Sequence, residues 1–290
     1  MTRARTTWYF GGILALAGCG KEAAPEAKVE QPTTNASIEH APVPNAAAPV
    51  LKSFREVAIV GTPPEGEQLP DVTVTGLSVG RLYEKVEEAF DPIKFVDSRG
   101  RKIKYFATLK TEQGDIRIEL LGESAPNHVR SFIALARVGY YNGLPFHRST
   151  QRVVDGKTEA SIEAGCPLGT GDLGYGSIGY WLKAEPSDEL VHDDGIVGAA
   201  HSLIPRGDVL EDIDNGACKF YIALSKAPWR DQSFTIFGKV IQGLDAAHTI
   251  SQRPNQTERG FEDRPARPAV IREVVIEEVI ASGSQIAAHR

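Results

Sequence analysis

No stretch of this sequence has enough consecutive apolar residues to cross a bilayer, which takes roughly 20 of them. The uncharged run at residues 8–17 is too short and follows Arg3 and Arg5, so it reads as the apolar region of a secretory signal. Basic residues are nowhere concentrated. The 32 Lys and Arg are interspersed with 38 Asp and Glu for a net charge of −6, which argues against nucleic acid as a partner. His147, His192 and His201 show no i, i+4 spacing and no adjacent ligand pair, so neither a metal nor another cofactor is expected. Hydrolase chemistry has no foothold either, because no G-x-S-x-G elbow exists; Ser177 has Tyr175 two places before it. The string Gly169-Thr170-Gly171-Asp172-Leu173-Gly174 matches G-x-G-x-x-G. That fingerprint binds pyrophosphate only at the start of a helix, and the following Tyr175-Gly176-Ser177-Ile178-Gly179 is too broken by glycine to be one. Internal repeats are absent. With 41% hydrophobic and 24% charged residues, what remains is ordinary globular composition, enough for one sizeable domain or two small ones.

The signal-like run ends in Leu16-Ala17-Gly18-Cys19, which resembles the lipobox of bacterial prolipoproteins. The resemblance implies cleavage after residue 18 and lipidation of Cys19. The protein is then expected in the cell envelope, lipid-anchored at the periplasmic face or the outer membrane. Several acyl chains, each methylene contributing about 0.8 kcal/mol, anchor firmly without a membrane-spanning helix. Residues 20–50 are rich in Ala, Pro and Glu without apolar periodicity, and read as a disordered tether.

Residues 51–92 form an N-terminal extension. Within it, Val79, Leu82, Tyr83, Val86 and Phe90 recur at helical spacing behind Ser78, predicting a helix over 78–90 that Pro92 closes. From Ile93 the period becomes two. A hairpin is expected from 93–96 and 103–109, then a strand with Ile116, Ile118 and Leu120 alternating. Helical spacing returns at 125–138. Short strands follow at 196–197, 220–224, 235–240 and 270–280, with a short helix at 244–250. Strands and helices do not alternate, so the pattern predicts a mainly β, mostly antiparallel barrel over 93–281, followed by a tail at 282–290.

Four segments then carry a family resemblance. Gly139-Tyr140-Tyr141-Asn142-Gly143-Leu144-Pro145-Phe146-His147-Arg148 closely resembles the cyclophilin stretch G-Y-Y-N-G-x-x-F-H-R. Upstream, Gly114 to Leu120 followed by Ala125-Pro126 and a helix with Val129 and Phe132 matches the expected order. Downstream, Gly165-Cys166-Pro167-Leu168-Gly169-Thr170-Gly171 resembles G-D-P-x-G-T-G. Phe237-Gly238-Lys239-Val240-Ile241-Gln242-Gly243-Leu244-Asp245 resembles F-G-x-V-x-x-G-x-D. The resemblance implies a cyclophilin-like eight-stranded antiparallel barrel capped by two helices. It also implies a proline-binding groove on the outer face, and peptidyl-prolyl cis-trans isomerisation of proline-containing polypeptides by a monomer without cofactor.

In this resemblance Arg148 is the catalytic arginine, and Phe146, Glu163, Ala200, His201, Lys219, Tyr221, Trp229 and Phe234 fall at substrate-binding positions. Several depart from the family. Glu163 and Lys219 replace two glutamines, His201 an asparagine, Tyr221 a phenylalanine and Arg230 a pocket leucine, while Ala160 and Ser161 replace an aromatic and an apolar residue. Two expectations follow: an ion pair between Glu163 and Lys219 near Arg148, and a disulfide between Cys166 and Cys218. Two insertions, 149–159 as a longer connection and 202–214 as an acidic loop, border the groove. The altered pocket leaves a second reading open, a catalytically weakened proline-peptide or partner-binding module.

Overall fold

The two-residue periods become eight strands of one antiparallel sheet: β1 Ile103–Thr111, β2 Gly114–Leu120, β3 Phe146–Val154, β4 Lys157–Ala164, β5 Ile196–Ala199, β6 Phe220–Ala223, β7 Ile236–Gln242 and β8 Glu273–Ile280. Their order is β8-β1-β2-β7-β5-β6-β4-β3. The structure is a computed structural model that describes residues 51–60, 69–154, 156–171, 177–206, 209–213 and 218–281. The signal-like run, Cys19, the tether and the C-terminal tail lie outside those residues.

The chain just ahead of β3 pairs with the chain just ahead of β8, which joins the two edges of the sheet into a barrel. Gly143 and Phe146 donate N–H bonds to Ile271 O and Ala269 O at 2.7 and 2.8 Å, and Ile271 donates to Leu144 O at 2.9 Å. Alternate residues Tyr105, Ala107, Leu109, Ile116 and Ile118 point into the core. Three further helices of note are α1 Val79–Phe90, α2 Pro126–Arg137 and α3 Leu244–Ser251. Phe132 of α2 packs against the rings of Tyr141, Phe220 and Phe237 at 5.0–5.5 Å between centroids. Ala125 gives α2 no side-chain cap. The Glu185 carboxylate instead accepts the N–H groups of Asn127 and His128 at 3.1 and 3.0 Å, satisfying two of the helix's orphan donors.

In α1, the predicted Val79, Leu82, Val86 and Phe90 are buried and Tyr83 is half-buried. A short helix, Phe54–Val57, adds Phe54 to Phe90 and Tyr180 at 5.3 and 5.0 Å. Arg130 of α2 is buried. It donates to Lys52 O at 2.6 Å and stacks 4.0 Å over Phe90, so the extension is pinned to the barrel by a cation that water does not reach.

The two insertions are not irregular loops. Arg148 to Val154 pairs with Lys157 to Glu163 without interruption, so the extra length at 149–159 extends β3 and β4 instead of the turn between them. Thr150, Val153, Val154 and Thr158 favour that extended form. The segment expected as an acidic loop is a two-stranded antiparallel pair, Ser202–Arg206 with Val209–Ile213.

Candidate active site

Strand parity alone would put Phe146 and Arg148 on the same face. A bulge intervenes: Phe146 opposes Ala164 while Arg148 opposes Glu163, so the register shifts by one across His147. Bulges re-aim side chains in this way. Phe146 accordingly goes into the barrel core, fully buried, and Arg148 goes out. From there the period of two holds. Arg148, Thr150 and Arg152 face outward opposite Glu163, Ser161 and Glu159, and all six line one cavity of about 310 Å3. The alternate residues Ser149 and Gln151 bond to Ser251 of α3 instead.

Glu163 is the electrostatic centre of this face. Its carboxylate lies 3.1 Å from His147 Nε2, 3.5 Å from Arg148 Nη1 and 3.6 Å from Lys219 Nζ. Burial by itself pushes the Glu163 carboxyl up. Lys219, His147 and Arg148 together outweigh burial and hold it well below the usual carboxylate range, so it is ionised. Burial likewise lowers His147, which stays neutral and donates Nε2–H to Glu163. The expected Glu163–Lys219 pair is present, and Lys219 also donates to His201 O at 3.2 Å. One rung along, Glu159 bonds Arg152 at 2.5 Å and lies 3.5 Å from Arg230.

The cavity floor is Tyr221, directly opposite Gly198 on the neighbouring strand. A Cβ on Gly198 would meet the hydroxyl and Cζ of Tyr221 at 2.3 and 2.4 Å, so glycine here makes room for the far end of the phenol ring. The hydroxyl oxygen lies 2.7 Å from His192 Nε2, and His192 Nδ1 lies 2.7 Å from Asp231 Oδ1. With Nδ1–H given to the carboxylate, Nε2 accepts the tyrosine proton. Burial lowers the His192 pKa and raises that of Tyr221, so both are neutral. The Arg230 guanidinium stands 4.6 Å over the Tyr221 ring and 5.7 Å from that of Phe234, while His201 stacks on Phe234 at 4.2 Å.

Of the residues read from the sequence, Arg148, Glu163, Ala200, His201, Tyr221 and Phe234 converge on this cavity. Lys219 stands behind Glu163. Two positions fall outside the cavity. Phe146 is a core residue for the parity reason above, and Trp229, half-exposed on the Pro228–Arg230 turn, is not among the cavity's lining residues. The expected disulfide is also absent. Cys166 and Cys218 are buried and not bonded to each other, and burial pushes the Cys218 thiol up to about 12, away from the thiolate that oxidation requires. Sequence reasoning missed Arg152, Glu159 and Asp263 in the lining, and His192 and Asp231 beneath it. On the other side of Arg148 lies a second, polar cavity of about 490 Å3, reached by His147, Gly171, Phe261 and Asp263.

A closed eight-stranded antiparallel barrel with Arg148 at a cavity on its outer face is the arrangement the four sequence segments imply. Residues 106–276 match the family model described as cyclophilin type peptidyl-prolyl cis-trans isomerase/CLD. The chain belongs to the cyclophilin family. It is 32% identical over 169 residues to peptidyl-prolyl cis-trans isomerase-like 3 of Gallus gallus, covering 58% of this chain and 94% of that protein. It is 33% identical over 167 residues to a peptidyl-prolyl cis-trans isomerase of Helicobacter pylori, covering 56% and 91%. Among solved structures, a cyclophilin type peptidyl-prolyl cis-trans isomerase of Cryptosporidium parvum matches with a TM-score of 0.50 at 26% identity, over 60% of this chain and 98% of that one.

Proposed function

We propose that this cyclophilin is a peptidyl-prolyl cis-trans isomerase acting on X-Pro bonds of envelope proteins, as a monomer tethered to the membrane through lipid on Cys19. The observation that carries the activity is Arg148: its side chain is 41% exposed at the border of two cavities, with a buried carboxylate behind it. Rotation about the imide bond resists by about 18–20 kcal/mol because nitrogen shares its lone pair with the carbonyl. In the twisted form that sharing is lost and the nitrogen becomes a hydrogen-bond acceptor. A guanidinium fixed beside it stabilises that form more than the planar ground states, and every 1.36 kcal/mol gained speeds rotation tenfold. Glu163 and the Gly171 carbonyl, 3.4 Å from Arg148 Nη2, limit the orientations the guanidinium can take. A polypeptide crossing Arg148 has space on both sides. No nucleophile or cofactor enters the reaction.

Exchange NMR on a short X-Pro peptide, with the full chain in detergent, tests the activity. Cis–trans exchange faster than in peptide alone supports it, and an unchanged rate refutes it. A Cys19 peptide carrying acyl mass in mass spectrometry supports the anchor; an unmodified one refutes it. The second reading, a proline-peptide-binding module with little catalysis, is favoured by one observation. Arg230 covers the ring face on which a proline would rest.

A further inference from the structure

The same cavity holds a feature that isomerisation of an unspecified X-Pro bond does not explain. Arg230 stands at its floor, where an apolar proline ring would be best served by an apolar neighbour, and Ser161 lines the wall beside it. Seating a ring against Tyr221 means moving a guanidinium off two aromatic faces. Two of the cavity's three arginines make only long contacts with their acceptors. Arg230 reaches Glu159 at 3.5 Å, and Arg148 reaches Glu163 at 3.5 Å and Gly171 O at 3.4 Å, whereas Arg152 grips Glu159 at 2.5 Å. A guanidinium carries five donors, so contacts this long leave capacity for a better acceptor.

The charges are also layered. The Glu159 and Glu163 side chains are 6% and 11% exposed, while those of Arg148 and Arg152 are 41% and 59% exposed above them. Asp263, half-buried, faces the cavity from another wall. Glu159 and Glu163 are therefore more shielded than Arg148 and Arg152, and Arg230, 18% exposed, lies deeper beside Glu159.

We propose that Arg230 is a specificity-determining residue that, together with Arg148, selects peptides with an acidic side chain directly beside the proline. The inference rests on the isomerase reading for its substrate class but stands on its own observations. On entry, the ligand carboxylate takes the donor that Arg230 holds to Glu159 at 3.5 Å and Arg148 donors not turned to Glu163 or Gly171, and Arg230 turns from Tyr221 toward it.

The test uses acetylated, amidated tetrapeptides with Glu, Gln or Lys placed before or after a single proline, so that a side chain supplies the only carboxylate. Affinity is read by NMR shift titration and catalysis by exchange, both on the full chain in detergent. In wild type, the Glu peptide on one side of proline binds about tenfold tighter than its Gln counterpart, and the gap narrows as salt rises. Arg230→Leu removes most of that gap. Arg230→Lys keeps part of it, since a point charge remains without the planar fork. Equal binding of Glu and Gln peptides by wild type overturns the proposal, and so does full preference in a folded R230L or R230Q protein. Preference without catalysis sustains this inference and refutes isomerisation. Catalysis without preference does the reverse.

Discussion

On the inner side of the barrel, Ile162, Ala164, Phe146 and Phe220 are sealed from water among apolar neighbours. On the outer side of the same strands, Arg148, Arg152, Glu159, Glu163 and Tyr221 meet in a cavity where most partners are charged. The first region is held by area and packing, which tolerate little change in volume. The second is held by ion pairs and hydrogen bonds whose removal strands a buried charge. Stability should therefore answer mainly to the interior, and rate and selectivity to the outer face.

The largest effect expected is on the interior. Phe132→Ala removes a ring shared by Tyr141, Phe220 and Phe237 and should cost about 3–5 kcal/mol in denaturant unfolding. The folded fraction should keep its exchange activity, and a proportional loss of rate would break the division. Next comes Glu163→Gln, which restores an amide but leaves Lys219 without its carboxylate. It should cost about 1.5–3 kcal/mol near pH 7. Glu163 has a depressed folded-state pKa, so its stabilisation is complete above the unfolded value of about 4.3 and is lost as pH falls below it. The gap between wild type and E163Q should thus shrink on acidification from pH 5 to pH 3; a gap that widens contradicts the ion cluster.

Gly198→Ala places a methyl against the hydroxyl and Cζ of Tyr221 and should cost about 1–3 kcal/mol. In a Tyr221→Phe background most of the cost should remain, because the ring Cζ stays 2.4 Å from the added methyl, and a double-mutant cycle reads the difference. Smallest is Tyr221→Phe alone, about 1 kcal/mol, because the ring stays in place and the hydroxyl's bond to His192 is lost. Strong coupling between G198A and Y221F would show that the hydroxyl alone, not the ring, requires the glycine.

How much of this was legible in sequence follows the same division. The α1 face was readable because Val79, Leu82, Val86 and Phe90 repeat at 3.6, and the barrel strands because their apolar residues alternate. Arg148 was readable from Phe146-His147-Arg148 within a family pattern. Phe146 was named from the family resemblance, and the bulge that sends it into the core while Arg148 turns outward has no signature in an alternating pattern. Arg152 and Glu159 were hidden in what looked like a longer connection. Their role depends on β3 and β4 staying in register through the inserted stretch. His192 is 29 residues from Tyr221 and 39 from Asp231, so no local pattern reports that chain of hydrogen bonds. Cys166 and Cys218 suggested a bond because they were the remaining cysteines, whereas burial makes them small apolar side chains.

The most direct measurement compares wild type with Arg148→Ala by exchange NMR on one X-Pro peptide, with unfolding midpoints recorded for both. Arg148 is part-exposed and its contacts are long, so the midpoint should barely move. The catalysed rate should drop about 10²–10³-fold, as when one preorganised donor is removed from a transition state. Equal rates from the two folded proteins would contradict the assignment of Arg148 as the group that stabilises the twisted imide.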